Sequence, residues 1–211
     1  MPSGAVALAA GSRLSDEALL LIAPFRGYEL IAARPSRGVL GVLRRCALTL
    51  CVIGVTGAIT TAGRLVPAHV LLVAAAWAFV PVLQIATVAA VSRRCTRSMT
   101  VARAVDLHMA GNGAYAGFFF ALSAVVLFAP DVADAFSRLL SWAILPVAIV
   151  AMLFGGSLTS YAFYRVCGGD SRKRALVLLL IEWLLKVSLC LVWYHLMDNL
   201  APQFLGQRGA P

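Results

Sequence analysis

Five long apolar runs constrain this chain more than any other feature of its sequence. They cover approximately residues 46–63, 70–91, 113–129, 139–164 and 175–197. A membrane-crossing helix needs about 20 mostly apolar residues, so each run is long enough, or nearly so, to span a bilayer. The chain is 13% charged, whereas soluble domains carry about 25% charged residues. The pattern predicts an all-α, polytopic membrane helix bundle with five transmembrane helices, and it argues against a soluble globular enzyme.

The lysine and arginine residues alternate between the segments that separate these runs. Of the 17 that lie outside the runs, 14 precede the first run, separate the second from the third, or separate the fourth from the fifth. The other three are Arg64, Arg138 and Arg208. Cytoplasmic loops carry an excess of lysine and arginine. This alternation predicts a cytoplasmic N-terminus and an outside C-terminus. The net charge of +9 is then explained by the orientation of the chain in the membrane, and we expect no nucleic-acid partner.

The same alternation divides the chain into three parts. Residues 1–45 are predicted to form a cytoplasmic N-terminal segment with interfacial amphipathic helices. Residues 46–198 are predicted to form the five-helix transmembrane domain, and residues 199–211 a short outer tail. Pro24 and Pro35 separate short arginine-bearing stretches of the kind that lie at a membrane interface. Binding of a partner by this N-terminal segment is the alternative interpretation.

Two ionisable residues, Glu182 and Lys186, lie well inside an apolar run. They are four residues apart, so they share one face of the predicted fifth helix. Ionisable residues in a membrane are costly and often mark a functional site. The pair is a mutually neutralised contact that holds the helix in the bundle, or a site that couples to protons or ions or binds a lipid head group. The third alternative is that the span begins later and Glu182 simply reaches the interface. Gln84, near the middle of the second run, completes this candidate intramembrane polar site.

A second group of polar residues precedes the third run and forms a candidate interfacial cluster. It consists of Arg103, Asp106, His108 and Asn112. Arg103 and Asp106 are three residues apart, and His108 and Asn112 are four apart, so each pair is adjacent on a helix. The two pairs face different directions. A polar cap at the membrane interface is one interpretation, and a ligand site is the other.

The sequence lacks the spaced motifs that mark catalytic or metal centres. It contains no His-Glu-x-x-His, no Gly-x-Ser-x-Gly and no P-loop. Its five cysteines include no Cys-x-x-Cys pair, and we expect no metal and no cofactor. Ser157 follows two glycines, as in intramembrane serine proteases, but no histidine is expected at depth in another span. We therefore expect a protein without catalytic activity.

The segment before the first run reads Tyr28-Glu-Leu-Ile-Ala-Ala-Arg-Pro35-Ser-Arg-Gly-Val. An interfacial stretch with a proline, followed by five clustered spans, resembles the outline of bacterial Yip1-domain membrane proteins. The Asp-Leu-Tyr-Gly-Pro motif of the eukaryotic members is absent. Asp106-Leu-His108-Met109 departs from it after two residues, so no functional residue is carried over. The resemblance implies a non-enzymatic membrane protein that acts through partner proteins or bilayer organisation.

These observations together predict a multi-pass protein of a bacterial inner membrane. Arginine supplies 16 of the 18 basic residues, which is typical of GC-rich bacterial genomes. The expected role is a scaffold or a membrane-organising accessory subunit. Its expected partners are the lipid bilayer and either other membrane proteins or a second copy of the chain. The alternative is a small transporter or permease subunit that uses the Glu182–Lys186 pair.

Overall fold

The computed structural model describes residues 16–95, 99–128 and 145–204, which form α-helices and contain no β-strand. The helices are α1 (Asp16–Ile22), α2 (Pro24–Ala32), α3 (Gly38–Ala62), α4 (Pro67–Ala76), α5 (Phe79–Ser92), α6 (Val101–Ala110), α7 (Gly113–Phe128), α8 (Leu145–Val166) and α9 (Arg172–Phe204).

Four helical units in the described ranges are long and apolar enough to cross a membrane. They are α3, the α4–α5 pair (Pro67–Ser92), the α6–α7 pair (Val101–Phe128) and residues Arg172–Leu196 of α9. These units fit a multi-pass membrane protein. Helix α8 is 22 residues long and is not one of these four units. The start of the predicted fourth run, residues 139–144, lies outside the described residues.

Large apolar side chains lie on the outside of the bundle, and several polar side chains lie inside it. Leu71 on α4 is 72% exposed and Leu184 on α9 is 60% exposed, whereas Glu182 is 1% exposed. A soluble protein buries its apolar side chains and rarely buries a glutamate. The reversed distribution is typical of a bundle whose outer surface faces lipid.

Helix α3 begins at Gly38, eight residues before the predicted start of the first run at residue 46. The interfacial stretch and the first apolar run therefore form one continuous helix. Small residues bring α3 against α4, because a Cβ atom at Gly54 would lie 2.6 Å from the carbonyl oxygen of Val70. Small residues commonly permit such close approach between membrane helices. The helix ends at Ala62, and Gly63, the residue that follows, adopts a left-handed φ of 63°.

Two of the membrane-length units are interrupted by short turns. Helices α4 and α5 meet at Trp77 and Ala78, one turn before Pro81. Because Pro81 has no N–H to donate to the Trp77 carbonyl, the regular hydrogen-bond pattern cannot continue there. The amide of Val80 donates to that carbonyl instead, at 3.0 Å. A second turn, at Gly111 and Asn112, separates α6 from α7.

Contacts between helix ends gather the arginine-rich segments at one end of the bundle, which we call the basic end. Here the guanidinium of Arg174, at the start of α9, donates to the carbonyl oxygen of Arg94, which follows α5. Arg45 of α3 contacts Asp106 of α6. The N-terminal helix α2 packs on α8 at the same end, where the rings of Phe25 and Tyr161 meet edge to face.

Candidate functional site: a polar network inside the bundle

Helices α6, α8 and α9 bring three polar side chains together inside the bundle. His108 Nε2 lies 3.0 Å from Glu182 Oε1 and 3.2 Å from Ser160 Oγ. Ser160 Oγ also donates to Glu182 Oε1 at 3.3 Å. The side chains of His108 and Glu182 are only 3% and 1% exposed. One carboxylate oxygen thus joins three helices in a region that excludes solvent.

Two amide side chains extend this group to α5 and to the α6–α7 turn. Gln84 Nε2 donates to Asn112 Oδ1 at 2.9 Å, and Asn112 Nδ2 donates to Gln84 Oε1 at 3.0 Å. Gln84 Nε2 also lies 3.5 Å from His108 Nδ1. An amide N–H facing Nδ1 favours the histidine tautomer that carries its hydrogen on Nε2. That hydrogen then points toward Glu182, which is the acceptor.

Lys186 lies at the outer edge of the same group. Its ammonium donates to Glu182 Oε1 from one helical turn further along α9. The lysine side chain is 34% exposed, far more than the carboxylate it contacts. The other oxygen of the carboxylate, Glu182 Oε2, is buried and has no hydrogen-bond partner among the described residues. We call His108, Ser160, Glu182, Gln84, Asn112 and Lys186 the polar network.

Aromatic side chains enclose the polar network toward the basic end. The ring of His108 packs edge to face on Phe163, with centroids 5.2 Å apart, and lies 6.4 Å from the ring of Tyr164. Tyr28 of α2 packs on Phe163 from the N-terminal side. Burial, with the charges of Cys167 and Glu182 nearby, raises the pKa of Tyr28 well above its ordinary value. The N-terminal helices therefore cover the bundle interior and do not lie apart from it.

The network does not have the geometry of a serine hydrolase. In a catalytic triad the nucleophile and the acid contact different nitrogens of the histidine. Here Ser160 and Glu182 both contact Nε2, and Nδ1 faces Gln84. No acid in the described ranges contacts Nδ1 to orient the histidine while Nε2 takes a proton from the serine. The arrangement can share hydrogen bonds and a proton, but it does not activate a nucleophile.

A separate cluster of charges lies between the N-terminal segment and the bundle. Asp106 Oδ1 lies 3.4 Å from Arg45 Nε, and Asp106 Oδ2 lies 3.3 Å from Arg103 Nη1. Arg103 Nη2 donates to the carbonyl oxygens of Ile31 at 2.8 Å and Arg34 at 2.9 Å. These bonds join the Arg103 side chain to the backbone at the end of α2 and just after it. Arg103 thus fixes the N-terminal helices to α6.

A third charged contact closes the α8–α9 turn at the basic end. Arg174 Nε lies 3.1 Å from the buried carboxylate of Asp170. The guanidinium of Arg165 donates to the Asp170 carbonyl oxygen. Partial burial, together with the charge of Asp170 and a hydrogen bond to it, raises the pKa of the Cys95 thiol to about 11. The contact between Arg174 and Asp170 fixes the start of α9 and so helps to place Glu182.

The structure groups the predicted site residues differently from the sequence pattern. Glu182 and Lys186 do contact each other, and Gln84 reaches Glu182 only through His108. The candidate interfacial cluster divides into two. Arg103 and Asp106 belong to the charge cluster around Arg45, whereas His108 and Asn112 belong to the polar network.

One expectation from the sequence is therefore wrong. No histidine was expected at depth in another span, yet His108 lies inside the bundle on α6, which forms a membrane-length unit with α7. Arg45, in the segment predicted to be interfacial, is 6% exposed and contacts Asp106 of α6. Sequence reasoning also missed Ser160. The polar residues around it on α8, Ser157 and Thr159, were the available signal.

Among the described residues, no group of three or more His, Cys, Asp and Glu side chains is placed to hold a metal ion. Comparison of the chain with family models, with curated proteins and with solved structures finds no match.

Proposed function

We propose that this chain is a non-enzymatic, five-span protein of a bacterial inner membrane that acts as a scaffold or accessory subunit. Its N-terminus is cytoplasmic and its C-terminus is outside. In outline it is similar to Yip1-domain proteins, and it acts by association with membrane proteins or with a second copy of itself. The polar network holds its helices in one arrangement.

The closure of the polar network carries this proposal. Glu182, His108 and Ser160 each direct their polar atoms at one another, and all three are buried. Both clefts described on this chain are lined by other residues. A polar group inside a membrane bundle is costly unless it is hydrogen-bonded, and every contact of this network except at Glu182 Oε2 supplies such a partner, which favours a single packed arrangement. A fixed arrangement is what a scaffold needs.

The basic end supports the proposed orientation. The starts of α3, α6 and α9 and the ends of α5 and α8 meet there, which requires the chain to alternate direction between successive long units. Five crossings give that alternation and place the arginine-rich segments on one side. The positive-inside rule makes that side cytoplasmic.

Crosslinking in native membranes followed by purification tests the association. We expect the wild-type chain to purify with a constant partner, either another membrane protein or a second copy. The variant Lys186→Met changes only the partly exposed edge of the network and leaves the buried contact of Glu182 with His108, so it should keep that partner. Recovery of the wild-type chain as an uncrosslinked monomer would contradict the proposal.

A second candidate is a small proton-coupled transporter or permease subunit. It is favoured by the buried Glu182–His108 contact and by Glu182 Oε2, which has no partner among the described residues. Chains of carboxylate and histidine inside membranes often carry protons. A proton moving between Glu182 and His108 would pass along a contact of 3.0 Å.

Proton flux into proteoliposomes under an imposed membrane potential separates the two candidates. The scaffold proposal expects the same flux for the wild-type chain, for Glu182→Gln and for protein-free vesicles. Glu29→Gln is the matched control, because Glu29 is an exposed carboxylate of α2. A flux that Glu182→Gln abolishes and Glu29→Gln preserves would replace the scaffold with the transporter.

A further inference from the structure

A cleft at the basic end lies between α2, the end of α8 and the start of α9, outside the polar network. Its volume is about 790 Å³, and small-molecule sites commonly occupy about 300–1,000 Å³. We call it the lateral cleft. The residues that line it come from these three helices and are Phe25, Glu29, Tyr161, Arg165, Val166 and Arg172. One occupant would therefore meet both a carboxylate and guanidinium groups.

The charged groups of the lateral cleft have opposite signs but do not pair with one another. Neither the Glu29 carboxylate nor the Arg172 guanidinium forms an ion pair with any residue that the structure describes. Both side chains are exposed, whereas Arg165 is half-buried and donates to the Asp170 carbonyl oxygen. An occupant that carries one positive and one negative group would satisfy Glu29 and the two arginines at the same time.

On α8, apolar side chains continue the wall of the lateral cleft away from the basic end. Phe154 precedes Tyr161 by seven residues, and Leu158 precedes Arg165 by seven, so these four residues share one face of the helix. Phe154 is 69% exposed and Leu158 is 36% exposed. This face of α8 therefore changes from polar to apolar within about two turns.

On α9, the neighbouring wall of the lateral cleft changes in the same way. Leu176 follows Arg172 by four residues, so it lies on the same face one turn further along, and it is 56% exposed. Further along that face, Trp183 Nε1 donates to Ser157 Oγ of α8 at 3.2 Å. The two helices are thus in contact beyond the cleft, and their apolar faces form a groove that begins at it.

We propose that the lateral cleft binds the head group of phosphatidylethanolamine, with its phosphate at Arg165 and Arg172 and its ammonium at Glu29. The acyl chains then lie in the groove between α8 and α9. Arginine binds phosphate oxygens through strong charge-assisted hydrogen bonds. A primary ammonium donates up to three hydrogen bonds, which a carboxylate accepts, whereas a quaternary ammonium has no N–H to donate.

This lipid site requires the chain to lie in a membrane and depends on no other part of the proposed function. The lateral cleft shares no residue with the polar network. The site therefore holds whether that network is structural or carries protons.

Calorimetric titration of the purified full chain in a neutral detergent tests the proposal. The probes are the dioctanoyl forms of phosphatidylethanolamine, phosphatidylcholine and phosphatidylglycerol, together with phosphoethanolamine, which is the free head group. The test variants are Glu29→Gln, which removes the charge that faces the ammonium, and Arg172→Gln, which removes one phosphate partner. Lys173→Gln is the matched control, because Lys173 is an exposed cation beside Arg172 that does not line the cleft.

We expect the wild-type chain to bind phosphatidylethanolamine more tightly than the other three probes. One charge beside a charged head group contributes about fivefold to binding. Arg172→Gln should therefore bind phosphatidylethanolamine about fivefold more weakly, and Lys173→Gln should bind it like the wild type. Glu29→Gln should lose the preference for phosphatidylethanolamine over phosphatidylglycerol.

Three results would overturn the proposal. Equal weakening by Arg172→Gln and Lys173→Gln would reduce the effect to general surface charge. Equal affinity of the wild type for phosphatidylethanolamine and phosphatidylcholine, or an unchanged preference in Glu29→Gln, would exclude recognition of the amine. Equal affinity for phosphoethanolamine and the whole phospholipid would exclude binding of the acyl chains in the groove.

Discussion

The contact between Glu182 and His108 should contribute more to stability than the contact between Glu182 and Lys186, although all three residues belong to one network. The perturbations are Glu182→Gln, His108→Gln and Lys186→Met, made singly and in the two pairs that include Glu182. Each pair forms a double-mutant cycle, which isolates the coupling energy between its two positions.

Burial sets the expected difference between the two cycles. His108 and Glu182 are 3% and 1% exposed, so their contact at 3.0 Å is not weakened by solvent. Lys186 is 34% exposed, and partly exposed ion pairs contribute about 0–1 kcal/mol. Hydrogen-bond couplings inside a membrane protein average about 0.6 kcal/mol and reach about 1.7, because the unfolded chain also finds partners. We expect about 1.5 kcal/mol for Glu182–His108 and less than about 0.5 kcal/mol for Glu182–Lys186.

The assay is reversible unfolding in mixed micelles as the fraction of sodium dodecyl sulfate rises. Tryptophan fluorescence reports the transition, since Trp183 lies next to Glu182 and donates to Ser157 Oγ at 3.2 Å. The free energy of unfolding is extrapolated for each variant. A Glu182–Lys186 coupling equal to or larger than the Glu182–His108 coupling would refute the reasoning from burial.

Three further predictions concern packing and charge elsewhere in the bundle. Gly54→Ala should destabilise the chain by about 1–3 kcal/mol, because its Cβ would meet a backbone oxygen of α4 at 2.6 Å. The control is Gly117→Ala, whose Cβ would meet nothing within 4 Å. It should be neutral or stabilising in the same unfolding assay. Arg103→Ala should speed proteolysis of the N-terminal segment by freeing the end of α2, whereas Arg93→Ala should leave the rate unchanged. Cys95 has a pKa of about 11, so only a small fraction of it is thiolate at neutral pH. Its alkylation rate should therefore rise about tenfold per pH unit up to about pH 11. A plateau of the rate near pH 9 would contradict this pKa.

The sequence predicted the helical class because long apolar runs and their flanking cations depend on composition and local spacing alone. The Glu182–Lys186 contact was predictable for the same reason, since residues four apart on a helix are neighbours. The bounds of α3 and α6 were harder to predict. Arg44 and Arg45, and Arg103 and Asp106, lower the local hydropathy, although both segments are helical and continuous with membrane-length units.

The link between His108 and Glu182 could not be predicted from the sequence. It joins residues 74 positions apart, and no local pattern states which helices are neighbours in a bundle. Ser160 gave little signal because serine is common in membrane helices and can bond to its own backbone. Only the packing of α6, α8 and α9 distinguishes it from Ser157, which donates to the Leu153 carbonyl oxygen.

Cysteine labelling measures most directly whether the polar network is closed to water inside the bundle. Ser160→Cys, in a chain whose five natural cysteines are replaced by alanine or serine, places a near-isosteric thiol in the network. We expect a membrane-impermeant methanethiosulfonate reagent to leave this thiol unlabelled from either side and to label it only after denaturation. Arg64→Cys and Arg94→Cys, in the same background, should be labelled from outside and from the cytoplasm respectively. Labelling of Ser160→Cys in the folded protein, from either side, would contradict the closed network.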